Sequence, residues 1–170
     1  KAVDGFPILV YNIPSCARNL LSVDFVVRMA ETVENIVGIK DSGGSMGYIT
    51  QLLARAPKDF MVINGVDEYG YQAILAGCPA VVSGLSNVVC DIYAAVYNHL
   101  KKGDMKKAWQ EQIRLERASR IFEYGRKTAT FKEGSRMRGF DAGYVRPPMR
   151  ELTAAEKKKL QKDLEELGVL

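Results

Sequence analysis

The stretch Asn35-Ile36-Val37-Gly38-Ile39-Lys40-Asp41-Ser42-Gly43-Gly44 decides how this chain is read. A short apolar run ends in a lysine and breaks at once into polar residues and glycines, which predicts a buried strand carrying an amine at its tip. Alternate strand residues share a face, so Ile36, Gly38 and Lys40 point one way, and the missing side chain at Gly38 is expected to leave room beside the lysine stem. An amine held in apolar surroundings shifts toward its neutral form, and a neutral amine is a nucleophile toward carbonyl carbon. The plainer reading of the same position is a lysine that marks the solvent end of a strand.

Upstream, Pro7-Ile8-Leu9-Val10-Tyr11-Asn12-Ile13-Pro14 is a second apolar run, closed by a proline that cannot donate to a ladder. Between the two runs Val23, Val26, Val27, Ala30 and Val33 recur at helical spacing behind a possible Ser22 cap. Two strand tips separated by one helix predict parallel pairing, with Tyr11 and Lys40 at the same sheet edge, where ligands of such sheets bind. A phenol beside an amine can relay protons during imine formation; the alternative is a boundary tyrosine with a buried ring and a wet hydroxyl. Further on, Phe60-Met61-Val62-Ile63-Asn64 and Ala80-Val81-Val82-Ser83 read as third and fourth strands, with helices near 46–56, 68–76 and 88–100. This alternation predicts an α/β chain with a parallel sheet, although a small doubly wound domain reads the same way.

Tyr11-Asn12-Ile13-Pro14-Ser15 followed by Gly38-Ile39-Lys40-Asp41-Ser42-Gly43 resembles the dihydrodipicolinate synthase and N-acetylneuraminate lyase superfamily of pyruvate-dependent class I aldolases. The resemblance continues through Asn64-Gly65-Val66-Asp67-Glu68, through Ala80-Val81-Val82-Ser83-Gly84-Leu85-Ser86-Asn87, and into Tyr144-Val145-Arg146-Pro147-Pro148. It implies a Schiff base between Lys40 and a 2-oxo acid, usually pyruvate, with Tyr11 shuttling protons and no cofactor or metal required. It also implies an eight-stranded βα (TIM) barrel with a C-terminal helical extension, normally in a cytoplasmic homotetramer. Four strands are too few for that barrel, so the chain is expected to be its second half, strands five to eight, with residues 1–101 as the half-barrel and 102–170 as the extension. The family's Gly-Thr-Thr-Gly-Glu carboxylate motif is not present, and no Thr-Thr pair occurs. The expected partners are therefore a 2-oxo acid, an aldehyde, and either the missing N-terminal half of the barrel or a partner chain supplying it. An open half-barrel also exposes strand edges, which favours oligomerisation.

Composition agrees with a globular core: 170 residues, 47% hydrophobic, and no apolar run long enough to span a bilayer. No signal peptide is apparent, and a transit peptide would belong to sequence preceding this stretch. Cys16, Cys78 and Cys90 are odd in number and lack metal-site spacing, which reads as reduced thiols in a cytosolic setting. The sole histidine, His99, reads as a surface residue, so neither a zinc site nor a histidine-based triad is supported. The net charge of +4 gathers in part at 101–126, but Glu111, Glu116 and Glu123 dilute it. Apolar residues from Ala108 to Phe122 interleave at helical spacing there, so a solvated helix face is expected rather than a nucleic-acid surface. Thr153-Ala154-Ala155-Glu156 has capping-box form, Gly168 can end the helix that follows, and the irregular stretch 132–150 is the expected boundary within the tail.

Substrate choice turns on three places. Dihydrodipicolinate synthases carry an arginine for the aldehyde's carboxylate where Ser15-Cys16-Ala17-Arg18 places Cys16. A thiol cannot form a bidentate ion pair, so Cys16 reads as a small residue bordering the substrate, and Arg18 sits two residues away. Gly65-Val66-Asp67-Glu68 is similar to the lyase segment that binds sugar-acid hydroxyls; alternatively Asp67 and Glu68 are ordinary helix-start acids. Ser83 and Gly84, at the expected fourth strand tip, complete the candidate substrate contacts, and Asp41-Ser42-Gly43-Gly44 also resembles 4-hydroxy-2-oxoglutarate aldolases. The leading expectation is a lyase or aldolase acting on a hydroxylated 2-oxo acid. The alternatives are a dihydrodipicolinate synthase and an inactive fragment serving as an interaction domain.

Overall fold

The apolar runs around Tyr11 and Lys40 pair side by side and in parallel. In the computed structural model, which describes residues 5–123 and 127–170, strands β1 (Ile8–Asn12), β2 (Ile36–Asp41) and β3 (Met61–Asn64) form one parallel sheet in the order β1-β2-β3. A short helix α1 (Pro14–Ala17) and a longer α2 (Val23–Thr32) connect the first two strands, and α3 (Met46–Arg55) connects the next two. A 3-10 turn at Asp67–Tyr69 then leads into α4 (Gly70–Ala76).

Local signals start these helices where the sequence places them. Ser22 accepts from the Phe25 amide and Ser45 from the Tyr48 amide, each filling one of the vacant donors of a first helical turn. Val26 and Val27 of α2 and Ile49 and Leu52 of α3 face inward and meet Ile39 and Val62 of the sheet. Burying each such side chain contributes about 1.5–3 kcal/mol. Asp24 and Arg55 join α2 to α3 by an exposed ion pair, the kind worth no more than about 1 kcal/mol.

Among the described residues the expected fourth strand is reduced to a single bridge between Asn64 and Val81. Its bonds run from the Asn64 amide to Ala80 O at 3.3 Å and from the Val82 amide to Asn64 O at 2.9 Å. Two features stop the ladder there. The Cys78 amide is taken by Ala73 O at the end of α4 at 2.9 Å, and the Asn64 side chain turns onto its own backbone, accepting from the Val66 amide and donating to Val66 O.

By compactness the chain divides into Lys1–Val82 and Ser83–Leu170, whereas the sequence reading ended its first segment at residue 101. The second unit holds α5 (Ser86–Lys101), α6 (Met105–Ile121), α7 (Lys127–Met137) and α8 (Ala154–Glu166). Helix α5 packs most extensively on α6, which is why it groups with the helices after it. Ala108, Leu115, Ala118 and Phe122 are buried, while Trp109 and Ile113 lie on the outer side of α6. The α6 charges form pairs within the helix, Arg114 with Glu111 and Arg120 with Glu116, and the end of the basic stretch at Arg126 lies outside the described residues. Residues up to Met137 are helical, so the irregular part of 132–150 starts later than expected; α7 owes its order to buried Ala129, Thr130 and Glu133, the last paired with Arg136 and Lys157. The Thr153–Glu156 capping box opens α8 as its sequence implies. Among the described residues no helix is long and apolar enough to cross a membrane.

Candidate active site

Strand register brings the two chemically loaded residues together. Tyr11 pairs with Lys40 across β1 and β2, and Lys40 pairs with Ile63 on β3. The Lys40 amine donates to the Tyr11 hydroxyl at 3.0 Å and lies 4.1 Å from the centroid of its ring. Ser42, the first residue beyond β2, donates its hydroxyl to the same phenol oxygen at 3.4 Å and lies 3.3 Å from Gly65 O. Amine, phenol and alcohol thus form one connected set at the C-terminal end of a parallel sheet, the end where such sheets bind ligands.

The electrostatics follow from those contacts. Burial works to raise the Tyr11 phenol above its usual value, but hydrogen bonds from Lys40 and Ser42, together with the lysine's charge, outweigh it and the net shift is downward. A phenol that ionises more easily exchanges protons more readily with a neighbouring amine.

The glycine that makes room for the lysine is Gly65 rather than Gly38. A Cβ on Gly38 would meet Met61 O at 2.5 Å and Leu9 Cδ2 at 2.7 Å, so that position serves close approach between strands. A Cβ on Gly65 would fall 2.7 Å from Lys40 Cε and 2.2 Å from Ser42 Oγ. Gly65 therefore keeps open the space that the lysine stem and the serine occupy. Nor is the amine in the purely apolar surroundings expected of it, because a phenol oxygen and the ring of an exposed tyrosine face it.

The other expected residues divide between the two units. Asp67 and Glu68 open the 3-10 turn just after β3, so they follow Gly65 at the lysine end of the sheet. Cys16 is an exposed thiol in α1 with the Ser15 hydroxyl 3.9 Å from its sulfur, near enough to Tyr11 for a thiolate there to oppose ionisation of the phenol. Ser83 and Gly84 belong to the second unit. The Ser83 hydroxyl accepts from the Leu85 amide at 2.9 Å, and a Cβ on Gly84 would lie 2.8 Å from the Phe131 ring.

Sequence reasoning passed over Ser42 as a member of the set. The signal was present, since a residue two beyond Lys40 at a strand exit shares its face. It also passed over Asn12 and Asp41, the next register pair, whose side chains meet on the opposite face with Asn12 Nδ2 donating to Asp41 Oδ1 at 2.6 Å.

A 4-hydroxy-tetrahydrodipicolinate synthase of Methanosarcina acetivorans is 31% identical over all of this chain and 58% of its own length. A DapA-like lyase of Halobacterium salinarum is 30% identical over 96% of this chain and 53% of its own. Among solved structures, a dihydrodipicolinate synthase of Bacillus anthracis superposes with a TM-score of 0.89 at 31% identity, over 95% of this chain and 55% of that one. The chain thus spans a little over half the length of these relatives. The expectation that it is specifically the second half, strands five to eight, is not borne out by these matches; it is corrected to the coarser statement of an α/β segment of the family's barrel-type structure. With the sequence model of the dihydrodipicolinate synthetase family matching residues 2–167, this chain belongs to that family.

Proposed function

We propose that Lys40 is the Schiff-base residue of a lyase acting on pyruvate or another 2-oxo acid, and that Tyr11 carries its protons. The observation that supports this most directly is the 3.0 Å contact between the Lys40 amine and the Tyr11 phenol. The neutral amine attacks the ketone carbon of the 2-oxo acid, the carbinolamine takes a proton from Tyr11, and water leaves to give a protonated imine. That imine withdraws electrons from the adjacent carbon, where a C–H or C–C bond then breaks and leaves an enamine. In the condensing direction the enamine carbon adds to an aldehyde, whose oxygen takes up a proton, and water releases the product and the free amine. Cleavage is the same sequence reversed.

Ser42 would hold the phenol oxygen in place, Gly65 would leave the lysine its path, and Cys16, Asp67 and Glu68 would border the second substrate. The relatives' names favour condensation of pyruvate with an aldehyde, as in 4-hydroxy-tetrahydrodipicolinate synthase. Cys16 favours the other reading, cleavage of a hydroxylated 2-oxo acid, because a thiol is a poor partner for an aldehyde's carboxylate. Asp67 and Glu68 suit substrate hydroxyls. The substrate carboxylate site and the remaining strands would come from the rest of the barrel. Incubation with pyruvate, borohydride reduction and peptide mapping test the proposal. An adduct on Lys40 supports it, and its absence both with and without the remainder of the barrel refutes it. Aldehyde consumption against hydroxy-oxo-acid cleavage then separates the two readings.

A further inference from the structure

The sheet face opposite Lys40 carries a buried polar pair beneath the candidate site. Asp41 is fully buried, and its Oδ1 accepts from Asn12 Nδ2 at 2.6 Å and from the Gly43 amide at 3.2 Å. Asn12 is almost as buried, and its Oδ1 accepts from the Leu21 amide at 3.2 Å. A charged carboxylate in the interior is costly unless it is tied down, yet Asp41 Oδ2 has no partner among the described residues. The groups around it include Asn12 on β1, Tyr48 on α3 and Cys78 after α4. Tyr48 is pushed up to about 12 and Cys78 to about 11, each by burial first and by the Asp41 charge second. An apolar pair would fill this place at lower cost, so retention of a carboxylate needs a reason other than packing.

Register supplies one. The β1–β2 ladder shifts between Ile8 and Leu9, so pairing near the start of the strands does not by itself fix their tips. A slip of one residue would send Tyr11 to the opposite face from Lys40. The Asn12–Asp41 bond lies one register step beyond the Tyr11–Lys40 pair, and the Ser42 amide adds a 2.8 Å bond to Asn12 O at the same level. We propose that Asn12 and Asp41 are positioning residues, whose bond on the helix-covered face locks the tips of β1 and β2 and thereby sets the Tyr11–Lys40 contact on the other face. The functional meaning of this clamp rests on the lysine reading above; its geometry does not.

The test follows the Tyr11 phenol, isolated as the ultraviolet titration difference between the full chain and its Tyr11→Phe variant. In the unaltered chain Tyr11 ionises below a free tyrosine. Replacing both partners, Asn12→Ala with Asp41→Ala, leaves neither side chain orphaned and is expected to return the Tyr11 midpoint to about 10 or above. The exchange Asn12→Asp with Asp41→Asn restores an inter-strand bond and is expected to return the midpoint to its original value. If the double-alanine variant does not fold, Asn12→Asp alone, which opposes two carboxyls, serves in its place, with a raised midpoint that the added Asp41→Asn reverses. A fall in melting temperature with the Tyr11 midpoint unmoved, or an exchange variant that fails to restore it, would overturn the clamp and leave Asp41 a packing residue. Failure of borohydride trapping in a chain whose Tyr11 still titrates low would count against the Schiff-base reading and not against the clamp.

Discussion

The two faces of the small sheet make a sharper contrast than any two segments of the chain. On one face Val10, Ile39 and Val62 pack beneath α2 and α3, and at the strand ends Asn12 and Asp41 lie buried on that same side. On the other, Leu9, Tyr11 and Met61 are 43%, 47% and 39% exposed, although they occupy the intervening positions of the same strands. Strand alternation sorts the side chains between the two faces, and α2 and α3 cover one of them. The covered face supplies stability and register, while the open face presents reactive groups, and a single residue step separates the two tasks.

Breaking the open face at its centre has the largest effect. Lys40→Met is expected to abolish the pyruvate adduct altogether while changing the urea midpoint little, as judged by mass mapping beside a denaturation curve. On the covered face the order is reversed. Ile39→Ala should cost about 2–5 kcal/mol of stability, because Ile39 is fully buried and a cavity adds to the lost transfer energy. Gly65→Ala tests the room that the open face leaves for the lysine. Its new methyl would meet Lys40 Cε and Ser42 Oγ, so trapping should slow by at least about tenfold, equivalent to about 1.4 kcal/mol, in a chain that still folds. Equal trapping would show that Gly65 is not needed for the lysine's path.

Two smaller effects sharpen the comparison. Burial lifts the Asp41 carboxyl above its ordinary 3.8, against the bonds from Asn12 and Gly43 that lower it. Its folded value therefore exceeds the unfolded one, so the folded state binds more protons between the two. Stability must fall as pH rises through that interval and level off above the folded value. Asp41→Asn should remove this decline, read as urea midpoints from acid to neutrality. Leu9→Ala, on the open face, should cost less than about 1 kcal/mol, since an exposed side chain loses little on truncation.

Much of this was legible in the sequence because it depends on local periodicity. The apolar runs at 7–14 and 35–40 contain β1 and β2, and the Ser22 cap and the Thr153 capping box form where the pattern puts them, because each acts over a few residues. What escaped depends on neighbours distant in sequence. Gly38 and Gly65 look alike in a string of letters, and only the approach of Met61 to one and of Lys40 to the other separates their tasks. The run 80–83 has the composition of a strand, but the Cys78 amide's bond to Ala73 O and the Asn64 side-chain turn leave it one bridge among the described residues. Asp41 reads as the polar end of a strand, and its burial depends on α3 and on the residues after α4 closing over it.

The pairing of Lys40 with Tyr11 carries the account, and side-by-side trapping tests it most directly. The full chain, its Lys40→Met variant and its Tyr11→Phe variant are each reduced with borohydride in the presence of pyruvate and mapped by peptide mass. The expected result is one reduced pyruvyl group on Lys40 in the full chain, none in Lys40→Met, and slowed labelling in Tyr11→Phe. Equal labelling of all three chains, or labelling spread over other lysines, would contradict it.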